Sequence, residues 1–156
     1  MSGVRRVDVP PDALISRYSG GGSHVDAYAV TTAEPVALSD YVSAFFQTPV
    51  FRLERRLLSF GGHASDAGQV LALAEGTGDA MAAWRVEDRS DRELLLSVPG
   101  TPIRTWLAVD EAQVWFGSAV LADETGKIAF AARALMPFHA FYSRLLLSLA
   151  ARALPR

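Results

Sequence analysis

The sequence predicts an α+β domain in which a long C-terminal amphipathic helix packs on a curved antiparallel sheet. Three observations predict it. From Asp79 onward, apolar residues recur at every second position in short runs parted by polar turns, too closely spaced for helical crossovers. Between Ser39 and Ala74 the apolar repeat is helical instead. After Pro137, the residues Phe138, Phe141, Tyr142, Leu145 and Leu149 form an i, i+3, i+4, i+7, i+11 stripe that must lie on something apolar.

The bulk properties suit one domain. A chain of 156 residues can bury roughly two-thirds of its unfolded surface, and 50% apolar with 21% charged residues is far from the composition of a disordered chain. A net charge of −2, from 15 basic and 17 acidic residues, supplies no bulk attraction to nucleic acid or anionic lipid. Neither is expected as a partner on that ground. Lys127 is the single lysine and every other positive side chain is arginine, which reflects genome composition or a surface built for bidentate anion contacts. The absence of cysteine excludes disulfides and thiolate metal sites. The opening MSGVRRVDVPPDALI lacks the apolar core of a signal peptide, so a cytoplasmic location is expected. The most apolar stretch, Leu145 to Leu154, is too short for a bilayer and is interrupted by Arg152, so no membrane span is expected.

In chain order, Met1 to Pro10 reads as an extended arm, Pro11 and Asp12 open a short helix ending near Tyr18, and Ser19-Gly20-Gly21-Gly22-Ser23 reads as a connector. Residues 1–23 are thus an arm and linker, with 24–156 as the domain. The glycines lack the spacing of a P-loop or dinucleotide fingerprint. His24 to Thr32 alternates as a first strand closed by Pro35. Ser39 caps a helix carrying Val42, Phe45 and Phe46 on one face, and Thr48-Pro49 starts another through Phe51, Leu53, Leu57 and Leu58, stopped at Gly61-Gly62. Ser65 to Ala74 makes a third short helix. Five strands follow, Ala80 to Glu87, Glu93 to Val98, Ile103 to Val109, Gln113 to Leu121 and Lys127 to Leu135, joined as a meander, before a last helix begun by Pro137.

That order resembles the helix-grip fold of the START and polyketide-cyclase superfamily (SRPBCC), most closely a bacterial family of unknown function within it. The resemblance rests on AAWRVEDRSDRELLLSV as paired strands, FGSAVLADETGKIAFAARAL as the last hairpin and MPFHAFYSRLLLSLAARAL as the terminal helix. It implies a sheet wrapped around the C-terminal helix, two or three short helices after the first strand, and a cavity between sheet and helix.

No catalytic constellation is legible. His24, His63 and His139 form no i, i+2 or i, i+4 pair, so no metal site is expected, and no cofactor motif is present. No serine lies in Gly-x-Ser-x-Gly, and Gly117-Ser118 falls mid-strand where no strained elbow forms. Glu87, Glu93 and Asp79 sit near strand ends as solvated groups. Candidate cavity-lining residues are Trp84, Trp106, Trp115, Phe116 and Phe130 from the strands, with Arg133, His139 and Tyr142; packing of those aromatics in the core is the plain alternative. Arg85, Arg104 and Arg133 would mark an anion site only if they point inward, and alternation turns Arg104 outward. The expected function is binding of a hydrophobic small molecule in that cavity by a monomer or homodimer. The rivals are a cyclase or isomerase working in the same pocket through His139, Tyr142 or Arg133, and an interaction module with Phe45, Phe46 and Phe51 exposed for a partner or dimer.

Overall fold

A computed structural model of the chain describes residues 3–53 and 67–154. Seven strands form one antiparallel sheet that curves without closing. They are β1 (Arg5–Val7), β2 (His24–Thr31), β3 (Ala80–Met81), β4 (Trp84–Arg89), β5 (Glu93–Ser97), β6 (Ile103–Asp110) and β7 (Gln113–Val120). Their order across the sheet is β1-β2-β7-β6-β5-β4-β3. The meander expected from short turns is there from β3 to β7, and β2 returns from the start of the chain to pair along the whole of β7. Among the described residues, three longer α-helices accompany it: α1 (Leu38–Phe46), α2 (Ala67–Glu75) and α3 (Phe130–Ala153).

Alternation along each strand divides the sheet into two apolar faces. Tyr28, Val30, Leu94, Leu96, Leu107, Val109, Val114 and Phe116 share the face covered by α1, α2 and the C-terminal half of α3. Phe45 stacks on Phe116 with ring centroids 5.3 Å apart, and Phe46, Phe51 and Trp84 continue the aromatic cluster. Ala27, Leu95, Trp106, Ala108 and Ala119 look the other way. Their cover is the N-terminal arm: β1 adds an edge strand to β2, and a 3₁₀ turn at Leu14–Tyr18 buries Ile15 against the outer face. The Leu14 N–H donates to Glu93 Oε2 at 2.8 Å, and the Trp106 indole N–H donates to the same oxygen at 2.7 Å.

Five readings change. Ala80 to Glu87 is not one strand but two, β3 and β4, parted by a turn in which Ala82 takes a positive φ of 52°. The stripe of Phe138, Phe141 and Leu145 does not lie on the core; Ser143, Leu146, Leu147 and Ala150 on the other face of the last helix do. Lys127 to Leu135 is not a strand: helix begins at Phe130, and Pro137 lies inside a 24-residue helix rather than at its start. Ala131, Ala132, Ala134 and Leu135 are strong helix formers, and the apparent alternation of this stretch does not distinguish the two periods. Proline has no N–H to offer the Arg133 carbonyl, a cost the helix carries. Ser39 is not a cap; Ala37 takes that position and makes no side-chain cap bond. Phe45, Phe46 and Phe51 form no exposed patch, because all three are core. Thr48 does act as a start signal, accepting the Phe51 N–H at 3.4 Å, with residues 49–53 helical. The expected continuation through Leu57 and Leu58, its stop at Gly61-Gly62, and Ser65 lie outside the described residues.

Gly117 is where the sheet is tightest. A Cβ there would stand 2.7 Å from Trp106 Cε3 and 3.1 Å from the Asp26 carbonyl oxygen. Gly117→Ala should therefore destabilise the fold by about 1–3 kcal/mol through overpacking, read as a lower urea midpoint at an unchanged slope; an unchanged midpoint would mean that Trp106 has room to move.

Candidate functional site

Strand β2 turns His24, Asp26, Tyr28 and Val30 toward the helices, so one acidic residue falls in an apolar row. Ser118 of β7 is its direct cross-strand partner, and side chains opposite one another in an antiparallel pair are close enough to bond. From α3, His139 and Ser143 stand one turn apart and meet the same spot. The result is a continuous chain. Ser118 Oγ donates to Asp26 Oδ1 at 2.8 Å, and His139 Nε2 lies 2.6 Å from Ser118 Oγ. Ser143 Oγ donates to the His139 carbonyl at 2.8 Å and lies 3.4 Å from Nε2. Tyr28 donates to Asp26 Oδ2 at 3.3 Å, and His24 Nε2 is 3.7 Å from that oxygen.

Asp26, Ser118 and Ser143 are 5%, 3% and 0% exposed, so this is a buried polar network whose members satisfy one another. The proton count fixes its direction. Ser118 has one hydroxyl proton; given to Asp26, it leaves Oγ as an acceptor, and a neutral His139 then donates from Nε2–H. From a doubly protonated imidazole, passing the Nε2 proton to Ser118 and the Ser118 proton to Asp26 reverses the two bonds of the Asp26–Ser118–His139 chain and leaves a neutral ring with its proton on Nδ1. The chain can relay a proton between carboxylate and ring. It is not a hydrolase triad, because the acid bonds the serine rather than the far nitrogen of the histidine.

Burial lowers the His139 pKa from 6.5, the nearby Asp26 carboxylate opposes that shift, and His24 adds to it. Burial raises the Tyr28 hydroxyl, with Asp26 adding to the effect. Among the described residues, no three His, Asp or Glu side chains are placed to hold a metal ion.

The residues singled out by sequence divide. His139 joins the network, and Tyr142 packs at the margin of the helix-side core with Trp84 and Phe116 inside it. Trp106 and Trp115 belong to the opposite face, their rings 6.2 Å apart under the N-terminal arm, so they do not line a sheet-to-helix space. Phe130 and Arg133 are exposed on α3 because the stretch is helix, not strand. Arg85 is exposed, and Arg104 points outward to Glu87 at 2.6 Å. Sequence reasoning missed Asp26, Ser118 and Ser143. The available signal was a lone carboxylate inside a strand apolar on both faces.

A groove of about 710 Å³ lies elsewhere, between residues 35–39, the end of α2 and the β4–β5 and β6–β7 turns. Its Arg89 is committed to the Leu73 and Ala74 carbonyls at 2.6 and 2.7 Å. Comparison with known proteins finds no matching family model, no matching curated protein and no matching solved structure. Fold and site define a class: an α+β domain with a doubly covered antiparallel sheet and a buried carboxylate–hydroxyl–imidazole chain under its last helix.

His139 makes stability pH-dependent with a definite sign. Its folded pKa is depressed, so the unfolded chain binds the extra proton first. The contribution is complete above pH 6.5 and is lost as pH falls through the folded pKa. Urea midpoints measured from pH 8 to 5 should fall, and fall less steeply in His139→Gln, with Asp26 and His24 left in place; parallel curves would show the ring titrating as freely as in the unfolded chain. Ser118→Ala should cost about 1–3 kcal/mol at pH 7, since it strands the Asp26 carboxylate and the His139 N–H together.

Proposed function

We propose that this protein is an interaction module that docks through the N-terminal half of α3. One observation carries the reading: Phe130, Leu135, Phe138 and Phe141 are 86%, 63%, 69% and 65% exposed, while the space between the sheet and the C-terminal half of the same helix holds buried Tyr28, Tyr41, Phe45, Phe116, Leu146 and Leu147. Exposed apolar side chains are ordinary singly, but gathered on one helix they mark an interaction site. The helix-grip likeness fits this reading as architecture, with α3 resting on the sheet.

Stability measurement tests it. Phe138→Ser with Phe141→Ser should move the unfolding free energy by less than about 0.5 kcal/mol per site, as surface changes do. A loss of about 3 kcal/mol per ring, the cost of emptying a core aromatic site, would mean that the fold itself covers them and would end the docking reading.

A second reading keeps the small-molecule site, placed at the buried network. A half-buried imidazole joined through Ser118 to Asp26, beside Tyr142 and the apolar core, supports a hydrophobic ligand bearing one polar group. Native mass spectrometry of purified protein should then show a defined adduct, lost on denaturation and reduced in His139→Gln. An adduct indifferent to that substitution would place the ligand elsewhere.

A further inference from the structure

Charge is segregated along this chain in a way that its net value hides. Five of the 15 basic residues and none of the 17 acidic ones follow residue 126, so residues 127–156 carry +5 against −7 for the remainder. Those last residues are, almost entirely, α3 and its approach.

On α3 the exposed residues Phe130, Ala134, Phe138, Phe141 and Leu145 are spaced by four, four, three and four, so they line one face. Ser143, Leu146, Leu147 and Ala150 occupy the opposite face against the core. Arg133 and Arg144, both exposed, fall along one flank of the apolar row, and Lys127 precedes it. Arg144 lies over the Tyr28 ring, its guanidinium carbon 5.6 Å from the ring centroid, and Arg6 of β1 is the cross-strand partner of Tyr28, which brings a further exposed cation to that flank. The acidic groups nearest in sequence are Asp123 and Glu124 in the preceding turn, where Asp123 Oδ1 accepts from the Thr125 and Lys127 N–H groups at 2.8 and 3.1 Å.

An aromatic apolar row flanked only by cations, on a helix whose other side is held by protein, is the pattern of a helix that lies in a membrane interface. We infer that the N-terminal half of α3 docks on an anionic lipid surface, with Phe130, Phe138 and Phe141 entering the headgroup boundary and Arg133, Arg144 and Lys127 meeting lipid phosphates. The inference rests on the docking reading above and names its partner. A second copy of the chain is disfavoured, because two such helices face to face would align cations with no acidic residue of α3 to pair them. No described helix is long and apolar enough to cross a membrane, so the mode is adsorption.

The test is flotation of the full chain with vesicles of mixed phosphatidylglycerol and phosphatidylcholine, and with phosphatidylcholine alone. Binding should require the anionic lipid and weaken with salt. It should fall about fivefold in Arg133→Gln, the value of one interfacial cation, and roughly a hundredfold in Phe138→Ser with Phe141→Ser, each ring counting for tenfold or more. Equal binding to neutral vesicles overturns the proposal, because charge is then irrelevant. Absence of binding overturns it too, and sedimentation equilibrium with the serine variant then separates the cases. A dimer dissociated by the two serines keeps the docking reading with a second copy as partner. A monomer whose serine variant keeps full stability leaves an acidic protein as partner. A monomer whose serine variant is strongly destabilised ends the docking reading as well.

Discussion

A sheet that is apolar on both faces has to be covered twice, and most of this architecture follows from that requirement. Strands β2, β6 and β7 carry large or apolar side chains at consecutive positions, as in Ala27-Tyr28-Ala29-Val30 and Trp106-Leu107-Ala108-Val109. Leaving either side open would expose several core-sized side chains, each contributing about 1.5–3 kcal/mol when buried. Helices α1, α2 and the second half of α3 cover one side. The other is covered by the N-terminal arm, which explains why a segment with the composition of a linker is held by defined bonds to Glu93 and by a strand pairing.

The double cover also explains where polar groups are tolerated. On the outer face, Glu93 gathers the Trp106 and Leu14 N–H groups, and Glu87 pairs with Arg104 beneath Tyr18, whose ring the guanidinium overlies at 5.4 Å. On the helix side, the one carboxylate of β2 is satisfied by Ser118 and Tyr28, and through Ser118 it is tied to α3. Packing of Leu146, Leu147 and Ala150 opposes rotation of α3, and the bonded Asp26–Ser118–His139 chain adds to that, because a small displacement strands buried polar groups. Network and apolar packing together set which face of α3 is presented to the core and therefore which face, with its phenylalanines, is presented outward.

Much of the fold was legible. Period-two alternation located β2, β5, β6 and β7 to within a residue or two, since such strands advertise themselves through turn residues such as those at Asp110 to Ala112, but it read β3 and β4 as one strand, because Ala82-Ala83 carries no turn residue. The site was legible only at His139. Asp26 and Ser118 are 92 residues apart in sequence and meet because β2 pairs β7 in one register; a shift of one residue would turn both side chains to the other face. Nothing local to Gly117-Ser118 reports that partner.

The amino-acid sequence by itself determined the fold class, the helical and strand periods, the absence of thiol chemistry and the segregation of charge toward the C-terminus, because these depend on neighbouring residues or on composition. Tertiary structure decided the rest. Whether Phe130 to Leu135 is strand or helix, which face each tryptophan takes, and whether a row of phenylalanines is core or surface are set by what packs against them. The stripe on α3 shows the physical reason. Phe138 and Leu147 belong to one amphipathic helix but to opposite faces of it, and Leu147 is buried and Phe138 exposed because the sheet and α1 take the side that carries Ser143, Leu146 and Leu147.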